Sequence, residues 1–240
     1  MKTILLTGVS KGLGLVILKN LLEDGNTVYG ISRTSNDEVE QIKSKFTDSF
    51  IHLQYDLSLE ESVKDLNKYI LKNKIKFDSF VNNAAVAYDD IITNANFDKL
   101  DFMFKTNVLN PIMITKSILR NFILNKNNGS IIHISSISVH TGYKGLSMYA
   151  STKGALEAFS KNTAREWGEM GIRSNCIVCG FMETNMSDTL SSEQKNRIYK
   201  RTSLKKETSK ESVAETINFL ISDKSESITG QNLFVDSGTI

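Results

Sequence analysis

Seven short runs rich in β-branched and aromatic residues punctuate the chain: TILLT at 3–7, TVYGI at 27–31, FIHLQY at 50–55, FDSFVN at 77–82, SIIHIS at 130–135, SNCIV at 174–178 and NLFVD at 232–236. Each reads as a strand. Helical spacing takes over between them. After Ser58, for instance, Val63, Leu66 and Ile70 fall at i, i+3 and i+7, one face of a helix. Regular β-α alternation predicts an α/β fold with a doubly wound parallel sheet of seven strands and helices on both faces, because right-handed crossovers place them there. In such a sheet ligands gather at the carboxyl ends of the strands, near the point where strand order reverses.

Composition changes this picture little. The 240 residues are 40% hydrophobic and 23% charged, and no linker or repeat divides them, so one domain is expected over 1–240. A net charge of +2 without a basic, aromatic-flanked cluster argues against nucleic acid. The short apolar run at the N-terminus passes straight into a glycine loop, and no stretch of about 18 apolar residues exists for a bilayer. A cytoplasmic protein with no membrane partner is therefore expected. Cys176 and Cys179 have C-x-x-C spacing, yet in a strand three residues span about 10 Å, beyond the roughly 7 Å limit for a disulfide. No further ligands lie nearby for zinc, so no metal is expected.

The loop TGVSKGLG at 7–14 follows the first strand and opens a helix. That is where backbone N-H groups and the helix dipole cradle a pyrophosphate in a Rossmann dinucleotide fold. Gly12 precedes Leu13, not Lys-Ser/Thr, so it is no Walker A loop. The end of the second strand carries further information: an acid there binds the ribose 2'-hydroxyl of NAD, whereas a nearby Arg accommodates a 2'-phosphate. Here Ser32 stands where the acid would be, with Arg33 beside it. Lys11 and Arg33 converging on one 2'-phosphate predicts NADP(H); the alternative is that both are ordinary surface cations.

The sequence resembles the short-chain dehydrogenases/reductases over essentially its whole length. The T-G-x-x-x-G-x-G motif is residues 7–14, the Asp after the third strand is Asp56, and the N-N-A-G turn appears as NNAA at 82–85, with Ala85 replacing glycine. Asn107 in KTNVL, Ser136, and Tyr149 with Lys153 in YASTK complete the pattern. The resemblance implies cofactor contacts from Gly8, Ser10, Lys11, Gly12, Leu13, Gly14, Ser32, Arg33, Asp56, Leu57, Asn83, Ala84, Ala85, Tyr149, Lys153, Gly180 and Thr184. It also implies that Tyr149 protonates the substrate oxygen, Ser136 hydrogen-bonds it, Lys153 holds the nicotinamide ribose and Asn107 positions a water in a proton relay. Tyr149 and Lys153 share one helical face, and a nearby ammonium favours phenolate, so Lys153, aided by an oxidised nicotinamide, is expected to bring the tyrosine towards neutral pH. The family's P-G-x-x-x-T appears as CGFMET at 179–184, with Cys179 replacing proline.

Within the family, GFMETNM and ITGQNLFVDSG look most like 3-oxoacyl-[acyl-carrier-protein] reductases, which implies NADPH-dependent reduction of a 3-oxoacyl thioester and a place in fatty acid biosynthesis. A sugar or other small carbonyl substrate is the alternative, and an NADP(H)-sensing protein without turnover a more distant one. Met170 stands where such reductases often carry a basic residue, and NKNNGS at 125–130 offers Lys126 but no arginine. A substrate lid is expected at about 185–210, where Lys195, Arg197, Lys200, Arg201, Lys205 and Lys206 face either solvent or an acidic carrier protein or phosphate. His52 and His133 read as packed or surface residues, while His140, between Ser136 and Tyr149, is a candidate substrate contact. Apolar positions in FDKLDFMFKTNVLNPIMITKSIL suit the helix pairing through which the family forms homotetramers, or failing that a homodimer.

Overall fold

A computed structural model describes residues 1–184 and 191–240. The first part of the expected lid, 185–190, lies outside the described residues. Strands β1 (Thr3–Thr7), β2 (Thr27–Ser32), β3 (Phe50–Gln54), β4 (Ser79–Asn82), β5 (Ser130–Ser136), β6 (Arg173–Cys179) and β7 (Asn232–Val235) form one sheet in the order β3-β2-β1-β4-β5-β6-β7. Every neighbouring pair is parallel. Strand order therefore reverses between β1 and β4, as a doubly wound sheet requires.

Helices α1 (Gly12–Glu23), α2 (Asp37–Lys45), α3 (Glu60–Lys72), α4 (Phe97–Phe104), α5 (Asn110–Asn125), α6 (Ser138–Thr141), α7 (Ser147–Trp167), α8 (Ser192–Arg201) and α9 (Lys210–Ile221) fill the connections. One face of the sheet buries apolar side chains against α1, α2 and α9. The other packs against α3 and α5, where Val63, Leu66 and Ile70 form the buried face expected of α3. Among the described residues no helix is long and apolar enough to cross a membrane.

Most strand ends lie within one residue of the apolar pattern, and the largest departure is at the start of β4. β4 begins at Ser79, although FDSFVN reads as strand from Phe77. The amide of Phe77 is taken by the side chain of Asn121 on α5, at 3.0 Å, and Asp78 accepts the Thr3 amide at 2.7 Å through its carboxylate. At Phe77 side chains replace ladder partners, its carbonyl accepting from Asn127 Nδ2 at 2.8 Å, whereas the Asp78 backbone still bonds to Thr3 and Ser130; no pattern of hydrophobicity records this.

Candidate active site

The glycine loop is bolted to the end of β4. Thr7 Oγ1 accepts the backbone N-H groups of Asn83 and Ala84, both at 3.0 Å, and the Asn83 amide donates to the carbonyls of Thr7 and Gly8. Gly8 (φ +79°) and Gly12 (φ +58°) adopt the left-handed conformation that glycine tolerates. A Cβ on Gly14 would lie 1.9 Å from the Gly8 carbonyl oxygen. Helix α1 starts at Gly12 with no side-chain cap, so its first N-H groups face the cleft unspent. Shape and donor set both fit a pyrophosphate.

A cleft of about 640 Å³ runs from this loop across the β1/β4 switch point. Towards the ends of β2 and β3 it is lined by Ser10, Lys11, Gly12 and Leu13 together with Ser32 and Arg33 at the end of β2 and Asp56 and Leu57 after β3. One Asp56 carboxylate oxygen accepts from the amide and hydroxyl of Ser58, which fixes its orientation. In the middle lie Gly8, Gly14, Asn83, Ala84 and Ala85. Gly180 and Thr184 border the far side, and a Cβ on Gly12 would approach the Thr184 side chain to 3.7 Å.

Ser136, Tyr149 and Lys153 line the same cleft. Ser136 Oγ accepts from the Ser138 amide at 3.2 Å, so its hydrogen remains available to donate. Lys153 is buried, donates to the Ile134 carbonyl at 2.8 Å, and places its ammonium 5.7 Å from the centre of the Tyr149 ring. Desolvation pulls Lys153 down to about 8. Desolvation, followed by the charges of Cys179 and Asp89, pushes the Tyr149 phenol above its ordinary value. In the protein alone, burial therefore favours the neutral phenol.

Asn107 is not part of the cleft wall. It is fully buried in a π-helical turn, Lys105–Leu109, its Oδ1 accepting from the Val86 amide and its Nδ2 donating to the Val86 carbonyl and Thr152 Oγ1. Its side chain thus ties the segment after β4 to α7. His140 is also turned away. It lies on α6, 3.1 Å from the buried carboxylate of Glu157 and edge-on to Phe234. Glu157 needs polar partners to be buried, and Ser135, His140 and Asn232 supply them.

His133 is packed between Phe80 and Phe159, pushed down to about 3 by burial. The buried Cys176 and Cys179 thiols are pushed up to about 12 by desolvation, which makes them poor nucleophiles. The cleft is also lined by Asp89, Phe102, Tyr143, Lys144, Ile198 and Arg201, none of which belongs to the cofactor or catalytic motifs. Of these only Asp89, a few residues past the carboxyl end of β4, stands where the topology rule directs attention. On α8 and beyond, Lys195 pairs with Glu183 at 3.3 Å, Arg197 with Glu193 at 2.6 Å, and Lys205 donates to the Lys200 carbonyl. The basic run is therefore partly neutralised by acids just outside it, and Arg201 is the cation it presents to the cleft.

Comparison with known proteins agrees with this geometry. A family model described as Enoyl-(Acyl carrier protein) reductase matches residues 8–239. The chain is 32% identical to the 3-oxoacyl-[acyl-carrier-protein] reductase FabG of Buchnera aphidicola subsp. Acyrthosiphon pisum, over 99% of this chain and 96% of that protein. It is also 32% identical to the FabG of Chlamydia pneumoniae over the same shares. Among solved structures, a 4-hydroxyisoleucine dehydrogenase complexed with NADH superposes with a TM-score of 0.93 at 25% identity, covering 100% of this chain and 98% of that one. A putative gluconate dehydrogenase from Agrobacterium tumefaciens has the same fold, with a TM-score of 0.92 at 24% identity, covering 99% and 95%.

Proposed function

The chain belongs to the short-chain dehydrogenase/reductase family, oxidoreductases that act on CH-OH and C=O groups with a nicotinamide cofactor, and on that basis we propose that it reduces a 3-oxoacyl thioester with NADPH. The observation that carries the reading is the convergence of Ser136, Tyr149 and Lys153 on one cleft beside a glycine cradle built for a pyrophosphate. The bound cofactor supplies the hydride. Ser136, its hydroxyl oxygen already held by Ser138, donates to the substrate oxygen and orients the carbonyl. Tyr149, kept neutral by its surroundings, gives that oxygen a proton as negative charge develops on it. Lys153 lies one helical turn on, where its ammonium would stabilise the phenolate left behind and, as in the family, would hold the nicotinamide ribose of a bound cofactor. A neutral phenol is the form needed for reduction.

The thioester assignment rests on the FabG relatives and on Phe102, Ile198 and Arg201 in the cleft lining, an apolar wall with a cation at its edge. An acyl chain ending in an acidic carrier or a phosphate suits that combination. Asp89 on the same wall favours a second reading, a hydroxylated small carbonyl compound held by its carboxylate. A homotetramer, or a dimer, fits the exposed Phe97, Leu109 and Met113 on α4, α5 and the turn between them.

NADPH is preferred over NADH in this reading because Ser32 leaves room for a 2'-phosphate and Lys11 and Arg33 border the same end of the cleft. Lys11→Ala and Arg33→Ala are each expected to weaken NADPH binding by about tenfold, one charge-assisted contact of roughly 1.4 kcal/mol, with NADH binding changed little. Fluorescence titration of both cofactors checks this. Equal losses for the two would contradict the 2'-phosphate assignment.

A further inference from the structure

Behind the cation pair that borders the β2 and β3 end of the cleft stands a group that no motif predicts there. His52 on β3 places Nε2 2.7 Å from the hydroxyl of Ser32, which ends β2 and lines the cleft. The same hydroxyl donates to the Thr34 carbonyl at 2.9 Å. With its hydrogen engaged in that bond, Ser32 Oγ can only accept, so His52 is the donor and carries its proton on Nε2. A 2'-phosphate beside Ser32 would change the pattern: the hydroxyl would turn its hydrogen to a phosphate oxygen and still accept from His52. The result would be a chain from imidazole to serine to phosphate in which each bond polarises the next. His52 is only partly buried, so water reaches it and Nδ1 can take up a proton from solvent.

We propose that His52 is a specificity-determining positioning residue, which orients Ser32 for a 2'-phosphate and gains a proton at Nδ1 when the phosphorylated cofactor binds. The inference rests on the NADP(H) reading above and adds a group to it. The charges around the imidazole bear on the sign. Burial holds His52 below its ordinary value, Glu40 on α2 opposes that, and Lys43 on the same helix adds to it. Arg33, next to Ser32, is a further cation at this end of the cleft. Neutral when the site is open, His52 is thus poised for an added dianion to raise its proton affinity. If the bound value exceeds the free one, NADP⁺ affinity owed to His52 grows as pH falls from above the bound value to below the free one. NAD⁺, lacking the phosphate, gains nothing.

The phosphate's own second ionisation, near pH 6, acts oppositely in the same window. It is common to every variant, so the test is a comparison. NADP⁺ and NAD⁺ dissociation constants should be measured at pH 6 and pH 8 for the wild type, His52→Gln and His52→Asn, with the His52 imidazole titrated by NMR in wild-type protein with and without NADP⁺. The variants should lose about threefold to tenfold more NADP⁺ affinity at pH 6 than at pH 8, equivalent to half to one unit of pKa. NAD⁺ binding should be unchanged, which also shows that the variants fold. In the wild type the His52 titration should move up with NADP⁺ and stay put with NAD⁺. An imidazole titration indifferent to NADP⁺, or variants that keep the wild-type pH profile while the wild type still prefers NADP⁺, would overturn the inference alone. A wild type that binds NADP⁺ and NAD⁺ equally, with Arg33→Ala without effect, would overturn the NADP(H) reading and this inference with it.

Discussion

Tyr149→Phe is expected to lower kcat by about 100-fold to 10,000-fold, the range for a positioned acid-base group, which is about 3 to 5 kcal/mol of transition-state stabilisation at 1.36 kcal/mol per tenfold. The substitution removes one hydroxyl and keeps the ring over which the Lys153 ammonium sits. The cofactor cradle, built from the loop after β1 and the end of β4, is untouched. NADPH affinity should therefore stay within about twofold while turnover collapses, the pattern of an interaction made chiefly in the transition state. Single-turnover kinetics at saturating NADPH measures the chemical step directly. A kcat near that of the wild type would remove Tyr149 from the mechanism.

The second large effect concerns stability, and its sign is opposite to that on activity. Lys153 titrates near 8 in the folded protein against about 10.5 when exposed. Between those values the unfolded chain holds more protons, so this group makes stability rise with pH across the window. Its destabilising effect is fully present below about pH 8 and gone above about pH 10.5, and 2.5 units correspond to roughly 3 kcal/mol. Lys153→Met removes the buried charge, while leaving the Ile134 carbonyl without its donor costs about 1 to 3 kcal/mol. Near pH 7 the variant should thus be as stable as the wild type or more so, yet without useful turnover. The offset cancels in the pH dependence. The stability difference, variant minus wild type, should shift by about 3 kcal/mol against the variant between pH 7 and pH 10.5, measured by denaturant unfolding at each pH. A difference independent of pH would mean that Lys153 keeps an ordinary titration in the folded protein. Retaining such a costly residue makes sense only where the chemistry needs it.

How far the molecule could be read from its sequence varies along the chain for physical reasons. Strand and helix order was legible because the apolar positions change period with the element, and because β1, β2 and β5 are buried over most of their length. The glycine loop was legible because positive φ and a 1.9 Å clearance leave no other residue type possible at Gly8 and Gly14. Tyr149 and Lys153 were legible because one helix carries both. Contacts between distant segments were not: Asn121 on the Phe77 amide, Glu157 with His140, and His52 on Ser32 each join residues that only the fold brings together. The burial that raises the Tyr149 phenol in the protein alone was not legible for a related reason. Spacing reveals the neighbouring ammonium but not how little water reaches the phenol. The substrate wall is assembled from the segment after β4, α4, the segment before α7 and α8, so no local run of residues announces it.

The central claim, reduction of a carbonyl by NADPH, is tested most directly by supplying NADPH with a panel that sets a 3-oxoacyl thioester beside a 2-enoyl thioester, sugars and simple ketones. NADPH loss and product formation are followed together. One 3-hydroxyacyl thioester formed per NADPH consumed, with the enoyl thioester untouched, is the predicted result. No NADPH consumption with any carbonyl compound, or consumption with the enoyl thioester alone, would contradict it.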